Sequence, residues 1–209
     1  MRAITSLKTL AGAALSLLAA LYIHAGIPVA TAQVIRYPGP TSSQPLALSA
    51  DDALLAVANP DNDTISLFDL RTGNGVRVAE VRVGREPNGV ALSPDGLRVY
   101  VANTASGTVS VIALDRNNFG FTPVLTIIPV GTEPYGLALT PRGGKLYVTN
   151  ARSNSVSVID TGTNQVLRTI ANVGPEPRGI AITNGGGDES QEIVYVTQFL
   201  ALPIAGKLD

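Results

Sequence analysis

Cysteine and tryptophan are absent from this 209-residue chain, and histidine and methionine occur once each, at His24 and Met1. Without cysteine there is no disulfide framework, no thiolate nucleophile and no CxxCH attachment for haem. The sole histidine lies among the first thirty residues. A downstream domain therefore lacks the base of a Ser-His-Asp triad and the usual nitrogen and sulfur ligands of zinc or copper. General acid–base chemistry would fall to Asp, Glu, Lys or Tyr. Charge is also sparse: 15% of residues are charged, the formal net charge is −1, and no basic run occurs. That balance argues against binding a phosphate backbone, so no nucleic-acid partner is expected. Aromatic residues make up only 5%, so a core must be packed from small and β-branched side chains.

Residues 1–32 read as a secretory signal peptide. Arg2 and Lys8 give a positive start, residues 9–23 an apolar run, and Ala30-Thr31-Ala32 a small-residue cleavage site before Gln33. An uncleaved anchor is the rival, but the apolar run is short of the roughly 20 residues a span needs, and His24 and Pro28 interrupt its extension. Cleavage would remove His24 and Met1 and, with Arg2 and Lys8 gone, shift the formal charge from −1 to −3. The remaining residues, 33–209, are enough for one domain with a substantial core. This predicts a periplasmic or extracellular, cell-surface protein with no membrane span after processing.

The rest of the chain is organised by a unit whose clearest copy occupies residues 133–160. Gly136-Leu137-Ala138-Leu139 is a short apolar strand, and Pro141-Arg142-Gly143-Gly144 turns the chain with glycine at a position that favours positive φ. Lys145-Leu146-Tyr147-Val148-Thr149 alternates as a half-buried strand, and Val156-Ser157-Val158-Ile159-Asp160 follows a polar loop as a third. Residues 165–173 supply a fourth. The turn prolines Pro45, Pro87, Pro134 and Pro177 are 42, 47 and 43 residues apart. The second strand recurs as LAVAN (residues 55–59), YVAN (100–103), YVTN (147–150) and YVTQ (195–198), and the third as ISLFD, VSVIA and VSVID. A period in the forties with four strands per unit is the signature of β-propeller blades, here at about residues 44–84, 86–131, 133–174 and, incompletely, 176–199.

These motifs resemble the YVTN β-propeller repeat family of surface-layer and periplasmic proteins, with Tyr147-Val148-Thr149-Asn150 carrying the name motif intact. The resemblance covers residues 44–199. Departures are Ala113 where Asp69 and Asp160 stand in other copies, Gln198 for the asparagine, and an insertion over residues 184–192. The family's usual seven blades would need about 300 residues. The chain therefore reads as a partial propeller of some three and a half blades, the N-terminal part of a longer one. A four-bladed ring is the alternative, closed by Val34-Ile35-Arg36 and an irregular strand over residues 200–204. Gln33-Val34-Ile35-Arg36 echoes Gln165-Val166-Leu167-Arg168, and reads either as a strand completing another blade or as an extended leader. An open arc would leave a blade edge free for self-association.

Candidate site residues follow from the propeller layout. The blade-to-blade connection repeats as Gly-x-Glu-Pro and brings Glu86, Glu133 and Glu176 to one mouth of the channel, with Asn103 and Asn150 on the neighbouring loops. Five oxygen-bearing side chains there raise the question of Ca²⁺, although no dedicated calcium loop exists and turn chemistry explains the glutamates without a metal. No cofactor is expected. The residue after each turn proline varies, as Leu46, Asn88, Tyr135 and Arg178, and the next is small, as Ala47, Gly89, Gly136 and Gly179. Asn88, Tyr135 and Arg178 are thus placed to contact a small-molecule or protein ligand or to line a wet channel. Asp61-Asn62-Asp63-Thr64 reads as turn chemistry and Gly185-Gly186-Gly187-Asp188 as a hairpin tip, not a phosphate cradle. The overall expectation is a binding or interaction scaffold with no catalytic residue assigned. The competing class is a propeller enzyme or subunit, either a carboxylate- or Ca²⁺-dependent hydrolase or a non-catalytic part of a redox assembly.

Overall fold

Strict alternation of apolar and small residues makes each strand two-sided, and glycine-bearing turns fold the strands back on one another. The computed structural model describes residues 45–119, 122–183 and 191–199. Their first sheet holds β1 (Leu46–Leu48), β2 (Leu54–Asn59), β3 (Thr64–Asp69) and β4 (Val76–Arg82), antiparallel and in chain order. The second holds β5 (Pro87–Leu92), β6 (Arg98–Asn103), β7 (Thr108–Ala113) and β8 (Val124–Pro129), and the third β9 (Pro134–Leu139), β10 (Lys145–Asn150), β11 (Ser155–Asp160) and β12 (Gln165–Ala171). Two strands, β13 (Pro177–Ile182) and β14 (Val194–Gln198), form the fourth. The architecture is an all-β partial propeller of four-stranded antiparallel blades.

Turn chemistry repeats with the strands. Between the first two strands of each full sheet a hydroxyl closes the turn: Ser49, Ser93 and Thr140 accept the backbone N–H of Leu54, Arg98 and Lys145 at 2.9, 2.9 and 3.0 Å. The left-handed residue of that turn is Gly96 (φ 69°) in the second sheet and Gly143 (φ 77°) in the third, but Asp52 (φ 56°) in the first.

Because side chains alternate faces, every sheet has a leading face and a trailing face. The trailing face of the first sheet, with Ala56, Ile65 and Leu67, packs on Val90, Val99, Val101 and Ile112 of the second. The second sheet's Tyr100, Ala102, Val109 and Val111 pack on Leu137, Leu146, Val148 and Ile159 of the third. In turn Tyr147, Val156 and Val158 meet Ile180, Val194 and Val196 of the fourth. The core is this succession of inter-sheet layers. Fully burying one such aliphatic side chain is worth about 1.5–3 kcal/mol.

Register corrects one sequence alignment. Leu46 pairs with Val57, as Val90 pairs with Val101, Leu137 with Val148 and Ile180 with Val196. Leu46 therefore occupies the level of Val90 and not that of Asn88, Tyr135 and Arg178, and Ala47 is not the counterpart of Gly89. Apolar alternation sets the register, since a one-residue slip would invert every side chain. The proline is a weaker marker, and the first innermost strand is shorter by comparison.

The signal-peptide reading, the strand at Gln33-Val34-Ile35-Arg36, the glycine tip Gly185-Gly186-Gly187-Asp188 and the closing strand at residues 200–204 lie outside the described residues. Among the described residues, no helix is long and apolar enough to cross a membrane.

Candidate functional site

Two kinds of loop meet at one end of the sheets. The connections that carry the chain between sheets present Glu86, Glu133 and Glu176, and their carbonyls accept the N–H of Thr104, Ala151 and Phe199, each at 2.9 Å. Those three residues immediately follow the second strands. All three glutamates adopt left-handed backbone, at φ 49°, 53° and 44°, a conformation uncommon outside glycine and asparagine. The N–H of Glu86 is held by Asp63 Oδ1 and that of Glu176 by Asn154 Oδ1, both at 3.0 Å. Asp63, one of the alternating acids of the 61–64 segment, thus serves a turn.

Side chains at the start of the innermost strands project into the same region. Asn88 donates to Thr104 Oγ1 at 3.0 Å. In the fourth sheet the equivalent pair is Arg178 and Phe199, and the guanidinium carbon lies 3.8 Å from the centre of the Phe199 ring. Tyr135, the counterpart in the third sheet, covers Arg178 from a neighbouring position, with 5.1 Å between guanidinium carbon and ring centre. A cation close to two aromatic rings is stabilised by their quadrupoles, by about 0.5–2 kcal/mol per ring according to exposure.

Charge around this stack is balanced. Arg178 Nη2 lies 3.4 Å from Glu176 Oε2, and Arg152 spans 3.3 Å to Glu176 Oε1 and 3.6 Å to Glu133 Oε1. Yet Arg178 Nε is buried without a hydrogen-bond partner. Such a donor carries a desolvation cost of about 1–3 kcal/mol until an acceptor reaches it.

The structure brings Glu133, Tyr135, Glu176 and Arg178 together and adds Arg152 and Phe199. Glu86 and Asn88 occupy the corresponding places one sheet earlier. Asn103 and Asn150 point elsewhere: both are fully buried. Asn103 Oδ1 accepts the Gly84 N–H at 3.1 Å while its Nδ2 donates to Thr108 and Ser110 hydroxyls at 3.0 and 2.9 Å. Asn150 binds Gly131 at 3.1 Å and Ser155 and Ser157 at 3.1 and 3.0 Å in the same way. Their amides hold the fold and present no surface to a ligand. Among the described residues, no group of three or more acidic, histidine or cysteine side chains is placed to hold a metal ion.

Phe199 was legible in one respect. It follows YVTQ as Ala151 follows YVTN and Thr104 follows YVAN, so alignment of the copies puts it at the channel mouth. Arg152 carried no comparable signal, because its two partners come from different connections.

Stacked antiparallel blades, turned in series by short corners, define a β-propeller. The chain belongs to the SMP-30/gluconolactonase/LRE-like family, whose model matches residues 58–198. Among solved structures it is similar to hydrazine synthase of Kuenenia stuttgartiensis, at 29% identity and TM-score 0.58, over 75% of this chain and 45% of that one. A functionally unknown protein of Desulfotomaculum acetoxidans (17% identity, TM-score 0.63) aligns over 75% of this chain and 49% of its own. The periplasmic gluconolactonase of Pseudomonas aeruginosa (22% identity, TM-score 0.55) aligns over 65% and 41%. The chain thus spans about half the length of these solved structures, and the two more distant likenesses show the fold alone. No curated protein matches it by sequence.

Proposed function

We propose that this chain is the exported, ligand-binding part of a β-propeller of the YVTN-repeat type, with its site where Tyr135, Arg178 and Phe199 meet Glu133 and Glu176. The observation that carries this reading is the buried, unpartnered Nε of Arg178, whose guanidinium lies over both the Tyr135 and the Phe199 rings. A small polar ligand with an acceptor oxygen, such as a carboxylate, would satisfy that donor. The rings would flank the ligand's apolar face, and Glu176 and Glu133 would accept from its hydroxyls. Calorimetric titration of the secreted protein with gluconate and with glucono-1,5-lactone tests it. Binding that weakens tenfold or more in Arg178→Ala and in Phe199→Ala supports the site, and no heat from either probe rejects it. Amino-terminal sequencing of the secreted protein should begin at Gln33, and a start at Met1 would remove the export reading.

The second reading is a lactone hydrolase, favoured by membership of the SMP-30/gluconolactonase/LRE-like family. Glu133 or Glu176 would then act as general base toward water. Calcium would require six to eight oxygens, whereas both carboxylates face Arg152. Lactone hydrolysis that rises above the spontaneous rate and disappears in Glu176→Gln would move the protein into the enzyme class.

A further inference from the structure

Asparagine is followed by glycine three times in the chain, at Asn74-Gly75, Asn88-Gly89 and Asn184-Gly185, the last outside the described residues. The dipeptide is reactive because a glycine nitrogen has no side chain beside it to keep it from the asparagine amide. Local structure decides which copy can react. Asn88 lies in β5, where its Nδ2 donates to the Glu86 carbonyl at 3.3 Å and to Thr104 Oγ1 at 3.0 Å. Gly89 is buried, with its backbone against the Tyr135 carbonyl of the next sheet. Asp95-Gly96 would react by the same route, but Asp95 Oδ1 accepts from the Ser93 hydroxyl and, at 2.9 Å, from the Leu97 N–H. Asn74 and Gly75 differ on each count. They lie in the turn between β3 and β4, Asn74 is exposed, and no hydrogen bond among the described residues holds its amide or the Gly75 N–H. The exposure belongs to the turn itself: Gly162 and Thr163, at the same place in the third sheet, are exposed although a sheet lies on either side.

We propose that Asn74 is a site of spontaneous deamidation, with the Gly75 nitrogen as nucleophile and water as the only co-reactant. The Gly75 nitrogen attacks Asn74 Cγ. An N–Cγ bond forms, the Cγ–Nδ2 bond breaks, and Nδ2 leaves as ammonia with the proton that Gly75 gives up. The product is a cyclic imide, and nothing is oxidised or reduced. Water then opens the ring, to aspartate when the new N–Cγ bond breaks and to isoaspartate when the original peptide bond does. Ring closure requires Asn74 to leave its turn conformation, which a segment with few backbone hydrogen bonds does at small cost. Either product places a negative charge at the end of β4 away from the Glu86 corner. Isoaspartate also adds a carbon to the backbone of the turn.

Trypsin separates the sites, because cleavage after Arg71 and Arg77 releases residues 72–77 with Asn74, and cleavage after Arg85 and Arg98 releases residues 86–98 with Asn88 and Asp95. The purified protein is incubated at mildly alkaline pH, folded in one arm and unfolded in urea in the other, then digested and analysed by liquid chromatography and mass spectrometry. In the folded arm, peptide 72–77 should gain the mass of an amide-to-acid exchange and elute as an aspartyl and isoaspartyl pair. Peptide 86–98 should convert several-fold more slowly there, and at a comparable rate in urea, where β5 no longer protects Asn88. A folded protein whose 72–77 peptide stays unmodified would overturn the proposal. Equal conversion of both peptides in the folded arm would overturn it too, because the fold would then select neither site. Conversion of 72–77 to the aspartyl form alone would replace the cyclic route with direct hydrolysis and remove Gly75 as nucleophile.

Discussion

Asn103 and Gly84 are fitted closely to each other. The Asn103 Oδ1 atom accepts the Gly84 N–H at 3.1 Å, and a methyl group at Gly84 would sit 2.6 Å from Asn103 Cγ. Asn150 and Gly131 repeat the pair, again with 2.6 Å from the added carbon to Cγ. The asparagine of the second-strand motif thus ties the corner between sheets to the third strand of its own sheet.

Replacing Asn103 with alanine strands the Gly84 N–H and the hydroxyls of Thr108 and Ser110. A loss of about 2–3 kcal/mol is expected from urea denaturation. Gly84→Ala should cost about 1–3 kcal/mol through overpacking. The double variant should lose less than the sum, because removing the amide makes room for the added methyl.

Gly89 marks a close approach of two innermost strands: a Cβ there would lie 2.0 Å from the Tyr135 carbonyl oxygen of the next sheet. Backbone cannot rotate aside as a side chain can. Gly89→Ala should lower stability by about 3 kcal/mol, at the upper end of overpacking. Gly96→Ala, whose cost is left-handed backbone at φ 69° with a 2.9 Å approach to the movable Arg116 guanidinium, should lose about 1–2 kcal/mol. Paired thermal melts should keep that order.

Asp51 should give the protein an acid-sensitive contact. The Ser49 hydroxyl donates to its carboxylate, Arg116 of the second sheet's outer loop pairs with it, and the Ala53 N–H adds a third donor, lowering its pKa to about 2. A lowered carboxylate pKa contributes stability above the unfolded value of about 3.9, and that contribution is lost as pH falls toward 2. Partial exposure keeps the effect to about 1 kcal/mol or less. Denaturation curves at pH 5 and pH 2.5 should show it in wild type, and Asp51→Asn should flatten that part of the difference.

Tyr100 should produce the opposite, alkaline sensitivity. Burial pushes its hydroxyl pKa up against the lowering influence of Arg98 and Thr161. A raised phenol pKa means that the folded state keeps the neutral form while the unfolded chain ionises from about pH 10. Stability is therefore fully present below that value and falls as pH rises beyond it. Tyr100→Phe should lose about 1 kcal/mol at pH 7 and show a shallower decline above pH 10, as measured by chemical denaturation across that range.

Sheet order and blade pattern were readable because alternation and turn glycines are local signals, repeated often enough to reinforce one another. Tyr100 and Tyr147 fell at equivalent places for that reason. Pro45 misleads at the first innermost strand because it resembles the other turn prolines, whereas the apolar positions Leu46 and Leu48 decide the pairing. Asn103 and Asn150 read as site residues because an amide beside a loop is ordinarily wet. Their burial follows from backbone donors at Gly84 and Gly131, nineteen residues upstream. Glu133, Glu176 and Arg178 were placed near one another by periodicity. Arg152's position between them depends on geometry that no local pattern encodes.

Each corner glutamate stands in left-handed backbone with only a few residues between the outer strand it leaves and the inner strand it enters. Neighbouring sheets are consequently close in sequence as well as in space. A nascent polypeptide can complete one sheet and seat the following one against it before downstream residues have been synthesised. Assembly should therefore proceed vectorially, with ribosome-stalled intermediates becoming protease-resistant in steps of one blade.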